Sequence, residues 1–319
     1  MKKNVFTLLL IIVTFYSCQP ENIDIKKTTY NYASKDGVEL KLDKYSPSMI
    51  SSKTPCVIFL FGGGFIGGER DNPAFLNYFN ALVKKGIQVV SIDYRKGLEN
   101  IESMTSEEKK SEKMAQLIIH SLNIATEDLI DATAFILAKS EEWNIDTNKI
   151  IVSGSSAGAL TALQGEYTLA NGHKLSQILP ADFRYAGVIS FAGAIFSETG
   201  KLEWKTKPAP MMLFHGNADK NVAYYTNGTK EASLYGSKYI ANQLDSMRIP
   251  YYFYDERYGS HMLAELPMNE NIDLILDFID NNILHQRGLM IHLNVEVINK
   301  DSVNTNFTDE DYFNSNYGG

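Results

Sequence analysis

The 319-residue sequence predicts an α/β protein with a mostly parallel central sheet and helices on both of its faces. Three observations carry that reading. Short continuous apolar runs recur along the chain ("CVIFLF", "IQVVSID", "KIIVSG", "YAGVISFAG", "APMMLFHG"), as expected of strands buried on both sides. Segments with helical apolar spacing alternate with them. Neither an internal repeat nor a linker divides residues 28–287, so they read as one domain, and 44% hydrophobic residues suffice for its core.

The elements follow in order. Residues 19–27 are polar and read as a tether. "TTYNYASKDGVELKLDKYSP" alternates on both sides of Asp36-Gly37, a hairpin signal. After "CVIFLF" comes a glycine loop, then a helix with Asn72 as N-cap, Pro73 at its first position and Gly86 beyond its end. Residues 96–121 are charged and serine-rich and read as an insertion outside the core. From Leu129, apolar or small residues at 132, 133, 136 and 137 mark an amphipathic helix, and the alanine-rich stretch after Gly158 another. Tyr235 to Arg248 reads as helix and "PYYFYDE" as strand, and Ile272, Ile275, Leu276, Ile279 and Ile283 mark a last helix. Residues 288–319 form a C-terminal extension. Leu289, Ile291, Leu293, Val295 and Val297 alternate with the period of an extra strand, and the polar run from Asp301 to Gly319 predicts disorder.

Residues 1–18 have the form of a lipoprotein-type signal peptide. Lys2-Lys3 precede an apolar run from Val5 to Val13, and polar and small residues then lead to Ser17-Cys18. The run is shorter than the roughly 20 residues of a membrane span. The expectation is an exported protein held at a membrane, on the periplasmic or cell-surface side, by a lipid on Cys18. Cys56, in "PCVIFLF", then has no disulfide partner and reads as a small buried hydrophobe. Net charge is −8 and basic residues form no runs, which excludes nucleic acid as a partner. Two cysteines and scattered histidines give no zinc spacing, so no metal and no cofactor is expected.

The chemistry concentrates in "GSSAG", residues 154–158. A strand runs in and a helix runs out, the context that makes G-x-S-x-G informative. Gly154 and Gly158 let strand and helix approach closely around a sharp turn, with Ser156 exposed at its apex and Ser155 misplaced for attack. Ala157 opens the helix, so its N–H points at any anion beside Ser156. The alternative is a structural turn, since glycine and serine are common turn residues.

"FLFGGGFIGGERD" brings backbone close to a ligand without intervening side chains. It lacks the Gly-Lys-Ser/Thr of a phosphate loop, and Asp93 lies too far on for a dinucleotide fingerprint. An oxyanion loop, with Gly63 and Gly64 donating beside Ala157, remains. For acid and base, Asp219 follows a strand end in "MMLFHGNADKNV", and His261 lies in the next loop, in "YDERYGSHML". Ser…Asp…His is the chain order of such sites. Asp255 and Glu256 are minor rivals for the acid. His120, His173, His285 and His292 fall in helices, the 96–121 stretch or the tail, and His215, at a strand end before glycine, reads as structural. Trp204, Tyr224 and Tyr225 are candidates for a pocket lining or for ordinary packing.

Through "FGGGF", "DYR", "GSSAG", "HGNAD" and "GSH", residues 28–287 resemble the α/β-hydrolase esterases of the hormone-sensitive-lipase-like and bacterial carboxylesterase groups. The resemblance implies the α/β-hydrolase fold, with Ser156 as nucleophile, His261 as base, Asp219 as orienting acid, and Gly63, Gly64 and Ala157 as oxyanion donors. It implies a small-molecule or glycan-linked ester as substrate, such as acetyl or feruloyl esters of polysaccharides. Phe61 stands where those families usually have histidine. A serine peptidase of the prolyl-oligopeptidase type, and a non-catalytic binding protein on the same fold, are the alternative readings.

Overall fold

The computed structural model describes residues 24–109, 111–229 and 231–318. The signal segment 1–18, with Cys18, and residues 19–23 of the tether lie outside the described residues. The chain opens with β1 (Ile25–Lys35) and β2 (Val38–Pro47), an antiparallel hairpin. Asp36 and Gly37 turn it with φ of 50° and 79°, the paired positive φ of a type I′ turn, which Gly37 adopts without penalty. Then follow β3 (Thr54–Leu60), α1 (Leu76–Lys84), β4 (Gln88–Ile92), α2 (Ser106–Lys109), α3 (Glu112–Lys139), β5 (Ile145–Ser155) and α4 (Ala157–Ala170). Next are β6 (Gly187–Phe191), β7 (Ala194–Ser197), β8 (Met211–Gly216), β9 (Thr226–Gly228), β10 (Ser233–Gly236), α5 (Ser237–Met247) and β11 (Tyr251–Glu256). The chain ends with α6 (Pro267–Glu270), α7 (Ile272–Phe278), β12 (Met290–Val295) and α8 (Asp309–Tyr317).

Nine strands form one sheet in the order β1-β2-β4-β3-β5-β6-β8-β11-β12. β2 pairs antiparallel with β1 and β4, and every pairing from β4 to β12 is parallel. A parallel sheet needs cover on both faces, and the middle strands show it: Val57, Ile58, Phe59, Val90, Ile151, Val152, Val188, Ile189, Leu213 and Phe214 are completely buried. α1 packs on β2 and β4, α4 on β3, β5 and β6 with α3 behind it, and α5 on β8 and β11. Phe59 anchors an aromatic cluster, its ring 4.8 Å from Phe75 and 5.0 Å from Phe79. Truncating such a residue to alanine costs about 3–5 kcal/mol. Cys56 is free and buried, and burial pushes its thiol up to about 12.

The structure departs from the sequence expectations in three places. α3 begins at Glu112, not near Leu129, and buries Met114 and Leu122, so the second half of the 96–121 stretch is core helix. Glu112, Lys113 and Gln116 are exposed there and mask the apolar spacing. Helix α5 starts at Ser237, because Ser233–Gly236 pairs with β7 and β9 in a separate three-stranded sheet. The alternating segment after Arg287 is the extra strand its period predicts, and it joins the main sheet at its edge, parallel to β11. The tail that composition marks as disordered contains α8, whose Thr308 and Asp311 form a reciprocal capping box. Among the described residues no helix is long and apolar enough to cross a membrane.

Candidate active site

The strand order explains why distant sequence motifs meet. β3, β5, β8 and β11 are parallel and lie close together in the sheet, so their carboxyl ends open on one edge. That edge receives the glycine loop after β3, Ser156 after β5, Asp219 after β8 and His261 after β11.

At the end of β5 the chain reverses into α4 through Ser156, which has φ 50° and ψ −117°, a conformation rare for a residue with a side chain. The two glycines make the reversal possible. A Cβ on Gly154 would lie 2.2 Å from Gly158 O, and one on Gly158 would lie 2.2 Å from Leu60 O. The strained residue is fastened by its own N–H, which donates to Phe191 O at 2.9 Å. Ser155 is buried and its hydroxyl donates to Ala264 O at 2.8 Å, tying the turn to the His261 segment.

Ser156 Oγ lies 2.8 Å from His261 Nε2, and His261 Nδ1 lies 2.7 Å from Asp219 Oδ2. The structure thus joins the three residues that the sequence places in separate loops. The imidazole is 22% exposed, open to a ligand on one side, whereas the Asp219 side chain is fully buried. Burial alone would raise the Asp219 pKa. Hydrogen bonds from His215 and His261 outweigh it and hold the carboxyl well below the usual carboxylate range. Its other oxygen, Oδ1, accepts the N–H groups of Asn221 (2.7 Å) and Val222 (3.0 Å). A buried carboxylate with four donors is a fixed negative charge beside His261.

The fourth donor is the residue that sequence reasoning treats as structural. His215, the fourth residue before Asp219, is fully buried, with Nε2 3.3 Å from Asp219 Oδ2 and 3.3 Å from Val222 O. Both partners are acceptors, so Nε2 carries the hydrogen, and Nδ1 accepts from the Ser237 hydroxyl at 2.8 Å. The available signal was the pair His215 and Asp219 at either side of a tight turn after a strand. The rivals for the acid are occupied elsewhere. Asp255 accepts from Tyr224, Lys238 and His292, and Glu256 pairs with Lys300.

The glycine loop approaches the turn from β3: a Cβ on Gly62 would lie 3.3 Å from the Cβ of Ser156. Gly63, Gly64 and Phe65 have φ of 127°, 62° and 60°, a run of left-handed conformations that turns the chain tightly, with the Ile66 and Gly67 N–H groups donating to Gly63 O. The Gly63 and Gly64 N–H groups have no acceptor among the described residues, and the Ala157 N–H, first in α4, has no carbonyl a turn earlier. These three donors are free to meet an anion. Phe61 contributes none of them. It is buried, stacked on Tyr94 at 4.5 Å, and the Tyr94 hydroxyl donates to Phe61 O at 2.7 Å, holding the start of the loop.

The aromatic candidates for a pocket lining have packing roles. Trp204 stacks edge-on with Tyr167 and donates to Gln243, and Tyr224 donates to Asp255. Tyr225 packs beside Tyr239 at the surface. Among the described residues no group of three or more His, Cys, Asp or Glu side chains is placed to hold a metal ion.

A mostly parallel sheet carrying a serine on a strained strand-to-helix turn, with its histidine and aspartate after later strands, is the α/β-hydrolase fold. Comparison with known proteins agrees. Residues 42–106 match the BD-FAE family model. Thermogutta terrifontis esterase 2 phosphonylated by cyclosarin superposes with a TM-score of 0.58 at 17% identity, over 84% of this chain and 97% of that one. The propionate-bound form of that esterase gives 0.58 at 18% identity, and its apo form 0.57 at 19%, each over 84% of this chain and 97% of that one. No curated protein matches this chain in sequence.

Proposed function

We propose that the protein is a serine carboxylic-ester hydrolase working through an acyl-enzyme. One observation carries the reading: the continuous chain Ser156 Oγ to His261 Nε2 at 2.8 Å and His261 Nδ1 to Asp219 Oδ2 at 2.7 Å, on a turn flanked by free backbone donors. His261 Nε2 takes the Ser156 proton as Oγ bonds to the ester carbonyl carbon. The carbonyl oxygen, now negative, is held by the Gly63, Gly64 and Ala157 N–H groups, a type of contact worth about 2.7–4 kcal/mol per donor. The carbon–oxygen bond to the alcohol breaks and His261 gives its proton to the departing oxygen. Water then repeats the sequence, with His261 as base, to release the acid and restore Ser156. Asp219 fixes the imidazole so that Nε2 faces Ser156, and its charge offsets the imidazolium formed in each step.

For substrate we propose acetyl or feruloyl esters carried by polysaccharides, on the strength of the motif resemblance; the structural neighbour is itself named an esterase. We also propose that the chain is exported and lipid-anchored at Cys18, which rests on the pattern of residues 1–18 alone. Recovery of soluble mature protein with Cys18 unmodified would refute the anchor. For the activity, a fluorophosphonate probe should label Ser156 while short-chain nitrophenyl esters and acetylated or feruloylated xylan fragments are hydrolysed. Hydrolysis of none of these esters, with Ser156 unlabelled in folded protein, would contradict the reading.

A further inference from the structure

The tail after β12 returns to the site. A Cβ built on Gly64 would lie 3.9 Å from Tyr317 Cε1, so the Tyr317 ring stands about one methyl group away from a candidate oxyanion glycine. Tyr317 is buried. The acid loop holds the same helix. Asn221, whose N–H donates to Asp219, donates its side-chain amide to Ser315 O at 3.1 Å, and Asn316 Nδ2 donates to Asn221 O at 2.8 Å. Lys220 pairs with Asp311 at 3.1 Å, and Lys109 Nζ donates to Tyr317 O at 3.3 Å. α8 is therefore fastened to the loops that present Gly64 and Asp219.

Beneath α8 lies a cavity of about 190 Å³ with apolar walls, among them Ile118, Ile119 and Leu122 of α3, Leu160 of α4, and Tyr312 and Phe313 of α8. Leu160 N–H donates to Ser156 O at 2.9 Å, which places the Leu160 backbone four residues, about 6 Å, along α4 from Ser156. The Tyr312 hydroxyl meets that of Tyr317 at 3.5 Å, linking the cavity wall to the ring near Gly64. An apolar cavity of about 150 Å³ accepts a benzene molecule. This one has room for a single aromatic ring or a short alkyl group; its walls are mostly apolar, with Asn227, Ser233 and Asp309 as the polar side chains among them. Were α8 only a plug on the apolar side of α3, it would fill this space with its own side chains. It forms one wall of a half-open space instead.

We propose that α8 is a substrate-binding element: with α3 and Leu160 it borders a half-open, largely apolar subsite, one turn along α4 from Ser156, that seats an aromatic ring or short alkyl group of the ester. The ester rests on the hydrolase reading above; the occupied cavity does not, so the first measurement needs no turnover. Phenylacetamide is titrated calorimetrically into the full chain carrying Ser156→Ala, with and without Ala115→Phe, which fills the cavity from α3. Saturable binding that weakens at least tenfold on filling is expected. No binding, or equal binding by both proteins, overturns the subsite. If melting shows that Ala115→Phe is unfolded, Ala232→Phe fills the same space from the segment before β10 and is judged by the same outcomes.

The second measurement uses active protein with the same filling substitution. Methylumbelliferyl acetate against methylumbelliferyl phenylacetate varies the acyl side, and ethyl acetate against benzyl acetate varies the alcohol side. In one series the aryl member should lose at least tenfold in kcat/KM while its small partner changes less than threefold, and that series identifies which side of the ester the subsite takes. Unchanged aryl kinetics in both series would overturn the substrate-binding role. Absence of all ester hydrolysis by the unsubstituted chain, with phenylacetamide binding and its loss on filling intact, would overturn the hydrolase reading and leave the subsite standing.

Discussion

His215 Nε2 lies 3.3 Å from Asp219 Oδ2 with both side chains fully buried, so the carboxylate that faces His261 is itself held by a second histidine. Hydrogen bonds to charged groups contribute about 1.5–3 kcal/mol. His215→Leu should therefore lower kcat about 10- to 100-fold with KM little changed. It should also move the acid limb of the kcat profile to higher pH, because removing a donor raises the Asp219 pKa. His215→Gln, which restores an N–H donor, should recover part of the loss. A uniform loss of folded protein with an unmoved pH profile would make His215 structural only.

Ser156→Ala should reduce kcat on a short-chain ester by roughly 10⁴-fold or more with an unchanged melting temperature. His261→Ala should cost a similar amount and the double variant little more, because the two groups act as one unit. Near-full activity in either single variant would refute their roles.

Phe61 and Gly63 separate what the glycine loop's side chains do from what its backbone does. Phe61→His should change kcat/KM by less than about tenfold, near 1.4 kcal/mol, while lowering the melting temperature, because the ring only stacks on Tyr94. A Cβ on Gly63 would lie 2.5 Å from Gly67 O at φ 127°, so Gly63→Ala must move the backbone that presents the donors. Losing one donor costs about 10²–10³ in rate. Equal damage from both substitutions in folded protein would give the Phe61 side chain a direct catalytic part.

Glu166 gives the stability a pH dependence of its own. Its side chain is completely buried on α4, with Oε1 accepting the Ala209 N–H at 2.7 Å, and burial pushes its pKa up to about 8. The unfolded chain releases this proton near pH 4.3. Between those values the native state binds more protons, so stability falls as pH rises, by about 1.4 kcal/mol per unit at most. Melting temperature should fall from pH 5 to pH 8, and Glu166→Gln should flatten that slope. An unchanged slope would place the pH dependence elsewhere.

The sheet was legible because strands such as "CVIFLF" and "MMLFHG" are apolar throughout, which only a doubly covered sheet explains. Ser156, His261 and Asp219 were legible as separate motifs in a known chain order. The distances between them were not, since they depend on the sheet bringing β5, β8 and β11 to one edge. The tail was misread because "TDEDYFNSNY" is polar overall. Its helix rests on the capping box and on three aromatics, Tyr312, Phe313 and Tyr317, that pack on α3 and the Gly64 loop. The Thr308 and Asp311 spacing was the signal to follow there. His215 reads as structural because a histidine at a strand end before glycine is ordinary on its own; only its pairing with Asp219 across the turn marks it.

The central claim is that Ser156 forms an ester with the acyl group during turnover. It is tested most directly by acid-quenching the enzyme within its first turnovers of nitrophenyl acetate and locating acetyl groups by peptide mass spectrometry. The account predicts one acetyl group on the peptide containing Ser156, absent after Ser156→Ala. Turnover with Ser156 unmodified, or with the acetyl group on another residue, would contradict it.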